Sequence, residues 1–377
     1  MKKPLIFLIL IIVLFLTNCN STDYKTVKEI VVKEVSEQAI VSFEKVNSIK
    51  IEGINYPSLY LRGNNELGIW GLTFEKDEKF IIRNFDLKLT LLNEKLINMG
   101  QGPGDLNGTV RFFLSGEKVY VQDNVLRRVS IFDRNLNFIK LIKTPPSYPA
   151  TFIKNGNYYL CINQKYDTSG HRNYAWDINL YSFPDLKKTF IYRIGPYPPH
   201  INKNQKFIYG KLPGFHFFYQ EHQNRIYYLN MKEYRIITFN PDGKMLSNIK
   251  IDVNEIKIPE EKKKVWLKTM GRYFETRCIM ADIVQPASWM VPLKKGFVVV
   301  RRKGYGNECS SLTKSDYFDY QLNLIGKIDL PCFYKITLIS QGYFPKTYKY
   351  KDGYLYLINE INEDFFLEKW KVNENIN

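Results

Sequence analysis

The sequence predicts an all-β protein, a six-bladed β-propeller carrying one short inserted helix. Three features support this. A strand pair recurs along the chain, its early copies are spaced close to 40 residues apart, and runs rich in Val, Ile, Tyr and Phe alternate with turn residues from Ser42 onward. The repeat is clearest at 119–142 (VYVQDNVLRRVSIFDRNLNFIKLI) and 226–251, and it returns at 354–372. Each copy has an apolar strand, a polar turn, a second strand ending in an aromatic, and a turn into a third strand. So small a sheet cannot bury its own face, so the copies must stack on one another.

Marking one strand start per copy gives Phe80, Val119, Tyr158, Ile226, Phe297 and Tyr354. The first two intervals are both 39 residues, matching the roughly 40-residue unit of a four-stranded blade. The later intervals of 68, 71 and 57 residues call for insertions, expected within 164–176, 195–213, 253–286 and 303–315. Six marks predict six blades, with 42–62 supplying the strand that completes the ring. Turn chemistry agrees: Asn240-Pro241-Asp242-Gly243, Asp133-Arg134-Asn135 and Pro184-Asp185 occupy equivalent places between strands. One segment predicts a helix, 260–276. Pro259 suits the start of a first turn, Glu260 and Glu261 suit its positive end, and Trp266, Met270, Tyr273 and Phe274 fall on one apolar face.

The N-terminus has the form of an export signal. Lys2 and Lys3 precede an unbroken apolar run of twelve residues, 5–16. Twelve helical residues cover about 18 Å, short of a hydrocarbon core of about 30 Å, so a signal-peptide core fits better than a membrane span. Leu16-Thr17-Asn18-Cys19 resembles a bacterial lipobox, and the resemblance implies an acylated Cys19 at the new N-terminus. The expected organisation is a lipoprotein signal peptide at 1–18, a tether at 19–41 and the propeller at 42–377.

The chain has 54 Lys and Arg against 38 Asp and Glu, a formal charge of +16, which becomes +14 once Lys2 and Lys3 are removed with the signal. The basic residues are scattered, with 262–264 the only run of three lysines, so they predict a solvated basic surface rather than a dedicated anion site. No nucleic-acid partner is expected of an exported chain. Such a chain does meet an oxidising compartment, where the four cysteines other than Cys19 allow three full pairings. The sequence does not choose among them. Cys278–Cys309, across an insertion, is one candidate bridge, and Cys161 falls inside a strand-like run as a buried thiol.

Gly100-Gln101-Gly102-Pro103-Gly104-Asp105-Leu106 resembles the GxGPGEF-type connector of six-bladed propeller lipoproteins related to NHL-repeat proteins, a group common in Bacteroidetes. The resemblance continues into 119–133, with Arg127 and Arg128 where that family often carries an Arg before the second strand. It implies an exported, lipid-anchored propeller. The connector is expected to be structural, its three glycines adopting φ > 0 around a stiffening Pro103. No helix follows it and no Lys-Ser/Thr completes it, so phosphate-cradling chemistry is not supported.

The search for chemistry yields no catalytic set, no metal set and no cofactor motif. The four histidines, His171, His200, His216 and His222, are poorly distributed for the axial metal of NHL-type lyases. No GxSxG elbow and no sialidase-type Asp box occurs. Asp316, Asp319, Glu360, Glu363 and Asp364 are expected as turn and strand-edge charges, and most of the aromatics as filling between blades. The expected function is a non-catalytic binding or scaffold module, anchored in the bacterial cell envelope, with a protein or glycan partner. The outer membrane is its expected site. The alternatives are a lyase or hydrolase with its site at the propeller axis, or a sensor ectodomain.

Overall fold

The computed structural model describes residues 29–33, 41–51, 69–74, 79–107, 110–115, 117–123, 125–143, 150–153, 158–166, 174–182, 185, 187–197, 207–209, 215–220, 222–255, 257–269, 278–280, 286–301, 312–331, 348–361 and 364–374. Its sheets form a propeller-like ring. Blade 1 comprises Val110–Ser115, Lys118–Asp123, Arg128–Phe132 and Phe138–Lys143. Blade 2 comprises Ala150–Ile153, Tyr158–Tyr166, Tyr174–Ser182 and Lys188–Tyr197. Blade 3 comprises Phe215–Gln220, Arg225–Asn230, Arg235–Phe239 and Met245–Asp252. Blade 4 comprises Ala287–Pro292, Gly296–Arg301, Leu312–Asp319 and Leu324–Pro331. Blade 5 takes Tyr348–Lys351, Tyr354–Ile361 and Asp364–Glu374 from the C-terminus and its outermost strand, Val41–Lys50, from the N-terminus. Each blade is an antiparallel meander.

The expected count of six blades is corrected to five. The remaining sheet, Ile69–Phe74, Lys79–Phe85 and Leu91–Asn98, has three strands among the described residues and fills the sector between blades 5 and 1. The marks at Val119, Tyr158, Ile226, Phe297 and Tyr354 fall on the second strand of each blade rather than the first. First strands of neighbouring blades adjoin one another and so line the axis.

Six apolar clusters hold the ring, each between two successive sheets. Trp70, Phe80 and Ile82 meet Val119, Val121 and Phe132 of blade 1. Tyr120, Val129 and Ile131 meet Tyr159, Cys161 and Tyr181 of blade 2. Leu160, Ile178 and Leu180 meet Ile226, Tyr228 and Ile237 of blade 3. Tyr227, Leu229 and Ile236 meet Phe297, Val299 and Phe318 of blade 4. Val298, Val300 and Ile328 meet Leu355, Leu357 and Val372 of blade 5. Tyr356, Ile358 and Leu367 meet Phe85 and Leu89, which closes the circle. The aromatics fill these joints as expected. Between blades 3 and 4, Phe218 stacks on Tyr227 at 4.8 Å and Phe297 on Phe318 at 5.4 Å, while the Tyr227 hydroxyl donates to the Tyr320 carbonyl at 2.7 Å.

A turn motif punctuates the sheets. In Asp133–Asn137 the Asp133 carboxylate accepts from the Asn135 and Asn137 N–H groups, and Leu136 adopts φ 63°. Asp319–Asn323 repeats it with Leu322 at φ 71°, and Asp86–Thr90 with Leu89 at φ 74°. Asn240–Lys244 uses Gly243 at φ 89° instead. A leucine in the left-handed region costs about 1–2 kcal/mol. Each of these leucines is buried in an inter-sheet cluster, and a fully buried leucine contributes about 1.5–3 kcal/mol, which offsets the strain. The Asn137 side chain and N–H hold the Asp133 carboxyl below its usual range.

The glycine-rich connector is organised by Arg128. Its Nη1 donates to the Gln101 carbonyl at 2.8 Å, and its Nη2 to those of Gly102 at 3.1 Å and Asp105 at 2.8 Å. The expectation of φ > 0 at all three glycines holds at Gly104 alone, φ 85°. Gly100 and Gly102 instead lie close under a side chain: a Cβ on either would stand 2.7 Å from the Asp105 carboxylate, which accepts from the Gly102 N–H at 3.1 Å, and would displace it.

Two outcomes are expected. Arg128→Met leaves three carbonyls without their donor and lowers the unfolding free energy by about 2–4 kcal/mol, read from urea denaturation. Burial pushes Tyr181, Tyr227 and Tyr350 up to about 12, against about 10 in an unfolded chain. The folded chain therefore holds these phenolic protons more tightly. That stabilisation is complete below pH about 10 and is lost as pH rises toward about 12. Denaturation curves, with phenolate absorbance as a second readout, check it; stability that stays level across this window would contradict the burial.

Candidate functional site

The meander order puts two kinds of connection at opposite ends of the ring. Links from first to second strand and from third to fourth lie on one face, and in blades 1–4, as in the first link of blade 5, they span five residues or fewer. Links from second to third strand, and from one blade to the next, lie on the other. We call the latter the connector face. The long connections within the ring, 198–214, 253–286, 302–311 and 332–347, all start and end there. Among the described residues, Phe207–Tyr209 from the first of these pairs in parallel with Cys278–Met280 from the second. A helix, α1, spans Glu260–Thr269 and adjoins Cys278–Met280. The expected helix over 260–276 is thus described to Thr269. Its Lys263 is buried and pairs with Glu260, while Val265 is 66% exposed.

His216 stands near the start of the first strand of blade 3, at the connector end. Its Nδ1 accepts from the Met290 N–H at 3.1 Å, tying the inner strands of blades 3 and 4 together. His222 is exposed in the turn at the far end of the same strand. The strand from His216 to Gln220 alone puts roughly 13 Å between the first histidine and the turn that holds the second, so the two do not form a pair of ligands for one metal ion. His171 and His200 lie outside the described residues. Among the described residues no three His, Cys, Asp or Glu side chains gather as a metal-ligand set.

The acidic residues divide. Asp319 caps its turn and Asp364 pairs with Lys50 at the surface, 2.9 Å, both as expected. Asp316 departs from the expected edge charge: it is buried, accepts from the Tyr234 hydroxyl of blade 3, and lies 3.6 Å from Arg301 Nε. Sequence reasoning also missed Glu368, which is fully buried and held by Lys45 of the N-terminal strand, by Trp370 Nε1 at 3.0 Å and by Asn359 at 3.4 Å. Of the aromatics at the start of blade 3, Phe215 packs edge-on to Trp176 at 5.4 Å and Phe217 is buried between blades 2 and 3. Cys161 is buried. Cys278 belongs to the short parallel pair, and Cys19, Glu363 and Cys309 lie outside the described residues. No described helix is long and apolar enough to cross a membrane.

The fold defines a propeller-like protein with an elaborated connector face. No protein-family model matches the chain, and no curated protein matches it. Two solved structures share its fold. A member of the DUF4221 family from Bacteroides vulgatus has a TM-score of 0.51 at 12% identity, covering 90% of this chain and 100% of its own. A Bacteroides fragilis protein inferred to be exported has a TM-score of 0.51 at 11% identity, covering 93% of this chain and 100% of its own.

His216→Ala removes the acceptor of the Met290 N–H. A loss of about 1–2 kcal/mol is expected in calorimetric unfolding, against no measurable change for the exposed His222→Ala. Equal effects of the two would remove the bracing role.

Proposed function

We propose that this chain is an exported, lipid-anchored β-propeller of the bacterial cell envelope, acting as a non-catalytic binding or scaffold module. Its connector face is offered to a protein or glycan partner. The observation that carries the reading is the asymmetry of the ring: the long connections and α1 gather on one face, and short turns occupy the other. Rigid sheets that hold variable connections to one side are how a stable scaffold presents recognition surface.

Export rests on the basic start, the twelve-residue apolar run and Cys19. The Bacteroides fragilis protein of like fold, inferred to be exported, is consistent with it. A relation to NHL-repeat propellers rests on the connector and on the strand pair that follows it, where Arg128 and Asp105 organise the bend. Ten residues separate Cys19 from Glu29, the start of the described chain, and an extended span of that length reaches at most about 35 Å. The ring would therefore stay close to the membrane surface.

Cys19→Ala is expected to move the protein from the membrane to the soluble fraction, and retention in the membrane would refute lipidation. A photo-crosslinking residue at Val265, on α1, should capture a partner in cells, while one at His222, on the opposite face, should not. Adducts at His222 alone would reject the connector face as the binding surface.

A further inference from the structure

Exposed apolar side chains are not spread evenly over the ring. Of the twelve large hydrophobic residues exposed among the described residues, eight fall between Leu91 and Leu141, in the three-stranded sheet, blade 1 and their connections. The outermost strand of the three-stranded sheet reaches the turn before the outermost strand of blade 1, where Lys95 Nζ donates to the Leu136 carbonyl at 2.5 Å, and Phe138 lies against Gly104 in the connector between the two sheets. The outermost strand of blade 1, Phe138–Lys143, exposes Phe138, Ile139 and Leu141 at 36–46%. No described strand pairs with its outer side.

Other rims are treated differently. Ile30–Lys33 lies parallel along the outermost strand of blade 3, in register from Ile30–Ile249 to Lys33–Asp252, so this ring accepts an added strand at its edge. The fourth strand of blade 4 exposes no residue fully, and the outermost strand of blade 5 carries Ser42, Glu44 and Lys45 among its exposed residues.

We infer that Phe138–Lys143 is a docking edge for an extended acidic segment of a partner protein, which adds to blade 1 as a further strand. Three observations select that occupant. The strand is short and alternates enough apolar surface to support strand addition, in which backbone bonds give affinity and alternate side chains give specificity. Its only charges are Lys140 and Lys143, both exposed and without an acidic residue in the strand. A second copy of the chain is disfavoured, because pairing two such edges brings four lysines into one joint. The third observation is position. Glu29 pairs with Arg235 at blade 3, two sectors round the ring from blade 1. If Cys19 is anchored, the tether joins the ring on a different sector from this edge, an orientation that favours a protein over a lipid surface. Only that orientation rests on the anchor. The edge chemistry does not, so failure of one leaves the other standing.

The test uses a pair of labelled peptides, an acetylated Glu-Val-Asp-Ile-Glu-Val amide and the same peptide with Lys for each acid. Fluorescence anisotropy of the purified chain is expected to give at least tenfold tighter binding of the acidic peptide. Exchange of the 138–143 amides should slow on binding. The double variant Lys140→Glu with Lys143→Glu should reverse the preference, and Leu141→Thr should weaken acidic binding while keeping the charge. Absence of a preference, an unchanged preference in the double variant, or protection confined to other strands would overturn the inference. So would sedimentation showing self-association abolished by the double variant, which assigns the edge to a second copy. Retention on anionic vesicles abolished by the same variant would assign it to lipid and overturn it equally.

Discussion

Every sheet of the ring has two apolar faces and, among the described residues, no helix layer to cover them, so each must be sealed by its two neighbours. That constraint governs the rest. A linear stack would leave two greasy ends, and a ring leaves none. The six inter-sheet clusters satisfy it only because the last interface, Tyr356 and Leu367 against Phe85 and Leu89, exists. It exists because Val41–Lys50 from one end of the chain pairs with Asp364–Glu374 from the other. The latch carries its own polar partners. Glu368, fully buried, would be costly alone, and Lys45, Trp370 and Asn359 satisfy it. Glu374 reaches back to blade 4, accepting from the Lys294 and Lys295 N–H groups at 2.9 Å and from the Tyr317 hydroxyl at 2.8 Å. Closure is thus a backbone ladder reinforced by two carboxylates.

The ends of the strands meet a second demand, since buried backbone groups need partners where the ladder stops. The chain answers it in two ways. On the short-turn face, Asp86, Asp133 and Asp319 accept backbone N–H groups while a left-handed leucine drops into the joint. On the connector face, Arg128 gathers three carbonyls of the bend leading into blade 1. Asp123 and Asn230 each accept backbone N–H groups in the turn that follows their strands. Polar residues that resemble site chemistry in a list of sequence positions are largely occupied with this work. His216 and Asp316 belong to the same class, each bridging two neighbouring blades.

What is left over for recognition is therefore uneven. The short-turn face is used up by turn geometry, and the connector face has room because insertions there do not disturb any ladder. The rim is free only where no other strand covers it. Blade 3 shows that a rim can be extended by four residues of parallel strand, and the outermost strand of blade 1 exposes Phe138, Ile139 and Leu141. A propeller can thus offer an axial face and a lateral edge to different partners without altering its core.

Much of the architecture was legible in the residues. Alternating apolar runs, the Asp133 and Asn240 turns, the early spacing of 39 and the short helix at Glu260 are local features, and local chemistry determines them. The likeness of Asp86–Thr90, Asp133–Asn137 and Asp319–Asn323 was also present in the letters, as Asp-x-x-Leu followed by Thr or Asn, and could have been found by aligning the turns. The number of full blades, the buried state of Asp316 and Glu368, and the reason for Gly100 and Gly102 were not. Each depends on which distant segment lies against a residue: Tyr234 on Asp316, Lys45 on Glu368, the Asp105 carboxylate over two glycines. Sequence by itself determined that strands would form and where most would turn, because those outcomes are decided within a few residues. Tertiary structure alone decided which faces they seal, which charges they bury and which outer strand an added segment covers, because those are settled between strands far apart in the chain.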